Sequence, residues 1–378
     1  MRMSHWFSCL LVSASAVCGW GADFGRTLKI ENQPWSAAFR EGESALGRAD
    51  YDRAISSFEQ VRNSIQPLDP NDEIAAGFAA NNLGSIYANL GRYVEAEPAF
   101  HQALSIFERV LGAGHPDTGV ALNNLASFYS KTGRDPEATP LLRRALEIHL
   151  AALGGSDPQV ANDLNNLGAA LLNQRKFAAA EPFFRRAIEI GGAARPPLPR
   201  LPDFLANLGA MDLSLHRFVE AEQLLRRALD LRLEAAGSDS PGAIVALGHL
   251  AELAILRYDY ARSRTLYAQM LPMAVRVFGP NHPRTADAVF GLAVTNHREG
   301  QLEQSEQLFL HLIEIDAAGS VVLHNRAAHL AAYATLLRQM HRSQEAKRQE
   351  QLSRSLGRQD PLQAFLENTV DAADLARR

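Results

Sequence analysis

The sequence has little of what a catalytic, metal-binding or disulfide-bonded protein needs. Its only two cysteines, Cys9 and Cys18, lie near the N-terminus, and the rest of the chain has no thiol. This excludes a disulfide framework, a cysteine-based zinc site and a cysteine nucleophile after residue 18. The phosphate-loop motif GxxxxGK[ST], the nucleophile motif GxSxG and the zinc motif HExxH are also missing. We therefore predict no enzymatic activity, no catalytic residue, no cofactor and no metal.

Aromatic residues and net charge are also scarce. Aromatics make up 7% of the chain, while alanine and leucine dominate, and both lose little side-chain freedom in a helix. The net charge is -4, and no basic stripe that would neutralise phosphates stands out, so we expect no nucleic-acid partner. With 47% hydrophobic and 21% charged residues, the composition indicates an all-α protein that is neither disordered nor membrane-integral.

An apolar run of about a dozen residues occupies positions 6–17, after the positive charge of Arg2 and before the small residues Gly19 and Ala22. The run is too short for a membrane span and has the layout of a signal peptide, which we predict over residues 1–22 with a linker over 23–34. Val17 does not suit a lipobox before Cys18, which argues against a lipid anchor there. The sequence thus predicts an extracytoplasmic protein without an integral membrane segment after signal removal; a cytosolic regulatory module is the alternative.

Internal repetition is the strongest feature of the remaining chain. Six leucines recur every 41 or 42 residues, at Leu83, Leu125, Leu167, Leu208, Leu250 and Leu292. Each is followed by a small residue, and a second small residue comes 12 positions later, as in Gly84 with Ala96 and Gly168 with Ala180. Small residues on two consecutive helices let their backbones approach closely. About eight such two-helix units are visible over residues 35–356.

Turns and links follow the same period. Gly91, Gly133 and Gly300 stand where the first helix of a unit should end, and His216 and His341 occupy that place elsewhere. The site favours a left-handed backbone, so these histidines are interpreted as helix stops. His115 and His282 precede a proline at the start of a helix, and we interpret them as caps, not metal ligands. A proline-rich link spans residues 191–203, and residues 357–378 are predicted to form a capping helix or a tail.

Leu83-Gly84, Tyr87, Ala96, Phe100 and Ala103 fall at the spacing of a tetratricopeptide repeat (TPR). The period of 42 and the HPDT-like link resemble the long repeat of kinesin light chains. The resemblance covers nearly the whole chain after the predicted signal. It implies an α-solenoid that coils into a right-handed superhelix, with the first helix of each unit lining a concave wall. It also implies a protein or extended peptide as partner, with the oligomeric state left open.

Polar residues precede the repeated leucines on the helices that would line this wall. An asparagine amide both donates and accepts hydrogen bonds, so a row of amides can hold the main chain of an extended peptide. Alternatively, the amides bond to the backbone between adjacent repeats. A structural or assembly scaffold is the alternative function. The candidate peptide-binding residues are Asn81, Asn82, Asn89, Asn123, Asn124, Lys131, Asn165, Asn166, Asn173, Asn207 and His249.

Overall fold

The computed structural model describes residues 33–48, 50–64, 69–236, 240–318 and 323–357. Across these ranges the chain forms sixteen α-helices and no β-strand, which confirms the predicted all-α solenoid class. The predicted signal peptide, nearly all of the linker over 23–34, and the predicted C-terminal helix or tail after residue 357 lie outside the described residues. Within the described part, no helix is both long and apolar enough to cross a membrane.

The helices divide into two compact units. The first unit, residues 33–198, holds four consecutive antiparallel helix pairs. Its helices are α1 (Ser36–Gly47), α2 (Tyr51–Asn63), α3 (Pro70–Asn89), α4 (Tyr93–Val110), α5 (Pro116–Lys131), α6 (Asp135–Leu153), α7 (Pro158–Asn173) and α8 (Phe177–Ala193). Every pair packs against the next, so each hairpin is buried by its neighbours along the chain.

The second unit, residues 199–357, repeats this arrangement with four more pairs. Its helices are α9 (Leu201–Ser214), α10 (Phe218–Ala236), α11 (Pro241–Leu256), α12 (Tyr260–Phe278), α13 (Pro283–Arg298), α14 (Leu302–Ala317), α15 (Leu323–Gln339) and α16 (Ser343–Gly357). The proline-rich link predicted over 191–203 is shorter than expected, because α8 continues to Ala193 and α9 begins at Leu201. Proline is compatible with the first turn of a helix, where Pro202 lies.

The first helix of four hairpins, α3, α5, α7 and α13, begins at a proline that follows a capping side chain. The Nδ1 atom of His115 accepts a hydrogen bond from the backbone N–H of Asp117 at 3.2 Å, and His282 caps α13 through Arg284 at 3.1 Å. Both histidines are thereby confirmed as caps. Asp157 performs the same role at the start of α7.

The turns inside the hairpins adopt the expected left-handed backbone. Gly91, Gly133 and Gly300 have positive φ angles, and His216 and His341 take φ values of 57° and 62° at the equivalent place. The interpretation of the two histidines as helix stops is confirmed. Two other residues at this position, Arg175 and Tyr258, also have positive φ, which the sequence analysis did not anticipate.

Close contact between the two helices of a hairpin depends on a small residue on each helix. A Cβ atom added to Gly84 would lie 2.9 Å from Cδ1 of Phe100, and one added to Gly168 would lie 2.9 Å from Cε1 of Phe184. The aromatic ring therefore occupies the space that a side chain on the first helix would need. Phe100 also contacts the next hairpin, with its ring centroid 5.7 Å from that of Phe128. Phe100 therefore packs both within its own hairpin and against the next one.

Candidate functional site

Six asparagines lie together on the first helices of three consecutive hairpins in the first unit. They form pairs directly before the buried leucines of α3, α5 and α7, and we call them the amide strip: Asn81, Asn82, Asn123, Asn124, Asn165 and Asn166. The first asparagine of each pair is buried, while Asn124 and Asn166 are partly exposed. The repeat period thus brings amides from three helices onto one face.

Side-chain hydrogen bonds connect the amide strip from one hairpin to the next. Asn124 donates through Nδ2 to Oδ1 of Asn81 at 2.9 Å, and Asn166 donates in the same way to Asn123 at 2.7 Å. Asn165 donates to Oδ1 of Asn166 at 3.3 Å. The amides therefore bond between adjacent repeats, as the alternative interpretation held, but to each other and not to the backbone.

These bonds leave hydrogen-bonding capacity on the exposed side of the strip. A primary amide has two N–H donors and an oxygen with two lone pairs. The bond to Asn81 uses one N–H of Asn124, and the side chain of Asn82 makes no hydrogen bond within the described residues. Because one end of Asn124 is already held, its remaining groups are fixed in direction and available to a ligand.

Lys131 and Asn89 extend the strip at the C-terminal ends of α5 and α3. The Nζ atom of Lys131 donates to the backbone oxygen of Ala88 at 2.9 Å and to Oδ1 of Asn89 at 3.2 Å. Burial lowers the pKa of the Lys131 ammonium. Asn173 lies apart from these two and donates to Oδ1 of Asp135 at 3.2 Å.

A buried histidine–aspartate pair lies next to the amide strip and is hydrogen-bonded to one of its asparagines. Nδ1 of His149 lies 2.5 Å from Oδ2 of Asp163, and both side chains are 1% exposed. Nε2 of His149 contacts the backbone oxygen of Pro116 at 3.0 Å. Since a carbonyl oxygen can only accept, Nε2 carries a proton. The charged form of His149 donates through Nδ1 to the Asp163 carboxylate as well.

The same pair fixes the orientation of one amide in the strip. Oδ1 of Asp163 accepts a hydrogen bond from Nδ2 of Asn123, which turns Oδ1 of Asn123 towards Asn166. A continuous chain of hydrogen bonds therefore runs from Pro116 through His149, Asp163 and Asn123 to Asn166. Burial opposes the charge on His149, but the hydrogen bond and the charge of Asp163 outweigh it and raise the pKa of His149.

Sequence reasoning missed this pair, although the repeat contains its signal. Asp163 occupies a position that is apolar in most other repeats, at Ala79, Ala121, Phe204, Ala246 and Ala288. Room for His149 comes from Gly119, where an added Cβ would lie 2.7 Å from Nε2. The sequence indicated the pair in two ways: an aspartate at a position that is apolar in the other repeats, and a glycine at residue 119 that leaves room for His149.

The second unit contains the reverse arrangement at an equivalent place. His329 on α15 contacts Asp316 on α14, with Nδ1 3.0 Å from Oδ2, and both are buried. In the first unit the histidine comes first in the chain, whereas here the aspartate does. The junction between hairpins therefore accepts the pair in either order.

Asn207 and His249, the remaining predicted site residues, belong to the second unit. Asn207 is partly buried on α9. His249 is buried on α11, with Nδ1 3.6 Å from Oε2 of Glu252. The described part of the chain contains no group of three or more histidine, cysteine or acidic side chains arranged to hold a metal ion.

A family model described as Tetratricopeptide repeat matches residues 73–148, 120–191 and 248–318, and a second model with that description matches residues 203–242. Together these matches cover more than half of the chain. A search of curated proteins found no match.

Several solved structures resemble the fold. The apo form of the quorum sensor NprR from B. thuringiensis is 11% identical with a TM-score of 0.66, and the alignment covers 85% of this chain and 87% of that one. A Rap protein complexed with competence and sporulation factor is 13% identical with a TM-score of 0.58, covering 86% and 96%. Kinesin light chain repeats from Podosopora anserina are 19% identical with a TM-score of 0.47, covering 54% and 97%.

Proposed function

The chain belongs to the tetratricopeptide repeat family, and from this premise we propose that it captures an extended peptide or protein segment along the amide strip. Arrays of this repeat are interaction scaffolds, in which stacked helix pairs present a long surface to a partner. In this chain the binding surface would be the amide strip and the ligand an extended main chain. The protein would therefore bind a partner and not catalyse a reaction.

The outward hydrogen-bonding capacity of the strip carries the proposal. Amides that recur at one position per hairpin can bond the carbonyl and N–H groups of an extended main chain without reading its side chains. Asn124 and Asn166 are partly exposed, and each is held by an amide of the preceding hairpin. Side chains that are held before binding lose less freedom when a ligand arrives.

The structural neighbours give support by analogy. The Rap protein was solved in complex with competence and sporulation factor, and NprR is described as a quorum sensor. Both descriptions fit arrays that hold a ligand. Their sequence identities of 13% and 11% extend the analogy to the fold alone, so the type of ligand rests on the amide strip.

We expect the double variant Asn124→Ala/Asn166→Ala to lose peptide capture. Each substitution removes an amide that would bond the ligand main chain, at about 0.5–1.5 kcal/mol per bond, so the pair should weaken binding by about one to two orders of magnitude. The measurement is binding of the full chain to an array of immobilised extended 12-residue peptides, compared with wild type. The exposed Gln102→Ala substitution on α4 is the matched control and should bind as wild type does.

Far-ultraviolet circular dichroism of the double variant should remain that of wild type, since the buried partners Asn81 and Asn123 are intact. Unchanged peptide binding by a folded double variant would disprove the role of the strip. Equal losses in the Gln102→Ala control would also contradict it, because that side chain lies on another helix.

We further propose that the protein acts outside the cytoplasm, with residues 1–22 as its export signal. A fusion of residues 1–34 to alkaline phosphatase, which is active only after export, should give activity in a bacterial host. Deletion of residues 6–17 from the fusion should abolish that activity because the apolar run is lost. Equal activity of both fusions, or inactivity of both, would refute the export proposal.

A further inference from the structure

The hairpin of α11 and α12 departs from the repeat pattern at two positions that carry arginine. Arg262 stands where three of the preceding hairpins carry glutamate, at Glu95, Glu137 and Glu220. Arg257 follows the last residue of α11, a place taken by uncharged residues after α3, α5, α7 and α9. Positive charge is therefore concentrated on one hairpin of a chain whose net charge is -4.

Three guanidinium groups converge on one carboxylate, that of Glu222 on α10. Oε1 of Glu222 lies 2.7 Å from Nη2 of Arg262 and 2.8 Å from Nη2 of Arg226. Its Oε2 lies 2.8 Å from Nη1 of Arg257. The hydrogen bond from Arg262 lowers the pKa of Glu222, so this carboxylate is ionised at neutral pH. Within the described part of the chain, none of the three arginines forms an ion pair with another carboxylate.

The arginines carry more positive charge and more donors than their partners use. Asp259 caps α12 by accepting a hydrogen bond from the backbone N–H of Arg262 at 3.1 Å, and it adds a second negative charge beside them. One positive charge remains. A guanidinium has five N–H donors, and the bonds to Glu222 occupy only part of them. The side chains of Arg226 and Arg257 are 59% and 44% exposed, so free donors are accessible from solvent.

An open groove of about 470 Å³, which we call the α10–α12 groove, adjoins these arginines. Its floor is apolar, because Leu250 is buried there and Leu229 and Leu266 are partly buried. Arg226 and Arg262 also line the groove. A volume of this size is typical of clefts that hold a ligand. Cationic groups and an accessible apolar surface therefore lie side by side.

We propose that the α10–α12 groove binds an acidic segment of a partner protein. An aspartate or glutamate side chain of the segment contacts Arg226 and Arg262, and an adjacent leucine packs on the apolar floor. Arginine and apolar pockets are frequent anchors of protein interfaces. Asp230 lines the groove one helical turn beyond Arg226 and would repel the evenly spaced phosphates of a nucleic acid. The groove lies wholly within the second unit and does not depend on the amide strip.

Three peptides of equal length test the charge and the apolar contact separately. The full chain is titrated by fluorescence anisotropy with fluorescein-labelled Gly-Ser-Glu-Leu-Glu-Ser-Gly. One counterpart has glutamine in place of both glutamates, and the other has serine in place of leucine. The glutamate peptide should bind at least about tenfold more tightly than the glutamine peptide, because hydrogen bonds between charged groups are stronger than neutral ones. The serine peptide should bind about fivefold more weakly, because it lacks the apolar side chain.

Arg262→Glu and Arg227→Glu form a matched pair of variants with the same change of charge. Arg262 lines the groove, whereas Arg227 lies exposed on α10 outside it. Glutamate at residue 262 reproduces Glu220 of the preceding hairpin, so the variant should fold, which circular dichroism checks. Arg262→Glu should weaken binding of the glutamate peptide by about tenfold or more, since it sets like charges against each other. Arg227→Glu should change it by less than about twofold at about 0.15 M ionic strength, where exposed charges are screened.

The outcomes distinguish this groove from the amide strip and from general attraction of anions. Asn124→Ala/Asn166→Ala should bind the glutamate peptide as wild type does, whether or not it captures other peptides on the strip. Equal affinity of wild type for the glutamate and glutamine peptides would overturn the proposal. So would equal losses in the folded Arg262→Glu and Arg227→Glu variants. Displacement of the glutamate peptide by a thymidine oligonucleotide of equal charge would show that any anion suffices, and would overturn it as well.

Discussion

Replacement of His149 by phenylalanine is expected to lower the free energy of unfolding by about 3–5 kcal/mol, because it leaves a buried carboxylate without its partner. Asp163 is 1% exposed, and of its two oxygens one faces His149 and the other Asn123. Phenylalanine fits the space, since the equivalent Phe107 packs against Gly77 as His149 packs against Gly119. Urea unfolding followed by circular dichroism at pH 6 measures the loss.

Two variants make this expectation specific. Glu181→Ala breaks the exposed ion pair with Arg185 on α8 and should cost less than about 1 kcal/mol. The exchange His149→Asp/Asp163→His should recover most of the stability lost in the single variant, because Asp316 and His329 already show that order in the second unit. If the single variant were as stable as wild type, Asp163 would not depend on His149 for its charge.

The contribution of His149 to the free energy of unfolding depends on pH, because the pKa of its side chain is raised in the folded protein. Folding favours the imidazolium, so the stability that it contributes is fully present below its ordinary pKa of 6.5. The contribution declines as the pH rises through the raised pKa in the folded protein. The comparison uses His149→Phe/Asp163→Ala, which removes both ionisable groups and reproduces Phe107 with Ala121 of the preceding junction. The stability difference between wild type and this double variant should therefore shrink from pH 6 to alkaline pH.

Phe184→Ala is expected to have a similarly large effect, about 3–5 kcal/mol, because it empties the space between two hairpin helices. Phe184 is fully buried, and its ring rests against Gly168 of the same hairpin. Chemical denaturation of the full chain gives the loss directly. A loss below about 1 kcal/mol would mean that the ring is not a structural contact.

A compensating pair tests the same contact from the other side. Gly168→Ala overpacks the crossing at a cost of about 1–3 kcal/mol, of which the better helix propensity of alanine returns about 1 kcal/mol. Combined with Phe184→Leu it reproduces Ala126 with Leu142, the combination found in the preceding hairpin. The double variant should be at least about 0.5 kcal/mol more stable than the sum of its singles predicts. Additive losses would show that the two residues do not share a packing constraint.

The period of the sequence was enough to predict the helices, the turns and the small-residue crossings. Each depends on a local rule, such as the cap at His115 or the left-handed backbone at His216, that repeats until chance is excluded. The positions of the amides were also predictable, since the asparagine pairs occur in phase. Their mutual bonding was not, because the sequence does not specify which of several acceptors an amide will reach across a 43-residue separation.

The features that the sequence analysis missed depend on contacts between different repeats. Asp163 and His149 each look unremarkable alone, and their pairing appears only when α6 and α7 are packed together. Tyr267 on α12 and Gly291 on α13 likewise come from neighbouring hairpins. A Cβ atom added to Gly291 would lie 2.3 Å from the Tyr267 ring, and this contact too is visible only in the packed structure. A comparison of the residues that depart from the repeat consensus in adjacent hairpins would have identified both contacts.

The two histidine–aspartate pairs limit how far the hairpins can serve as interchangeable modules. Loss or duplication of one period by recombination is tolerated where the facing residues are apolar on both sides, as at Phe107 and Ala121. At the α6–α7 and α14–α15 junctions the same event would set a buried charge against an apolar or like-charged neighbour. The two histidine–aspartate junctions therefore restrict which hairpins can follow one another in this chain. Recombination products that separate either pair are expected to fold less stably.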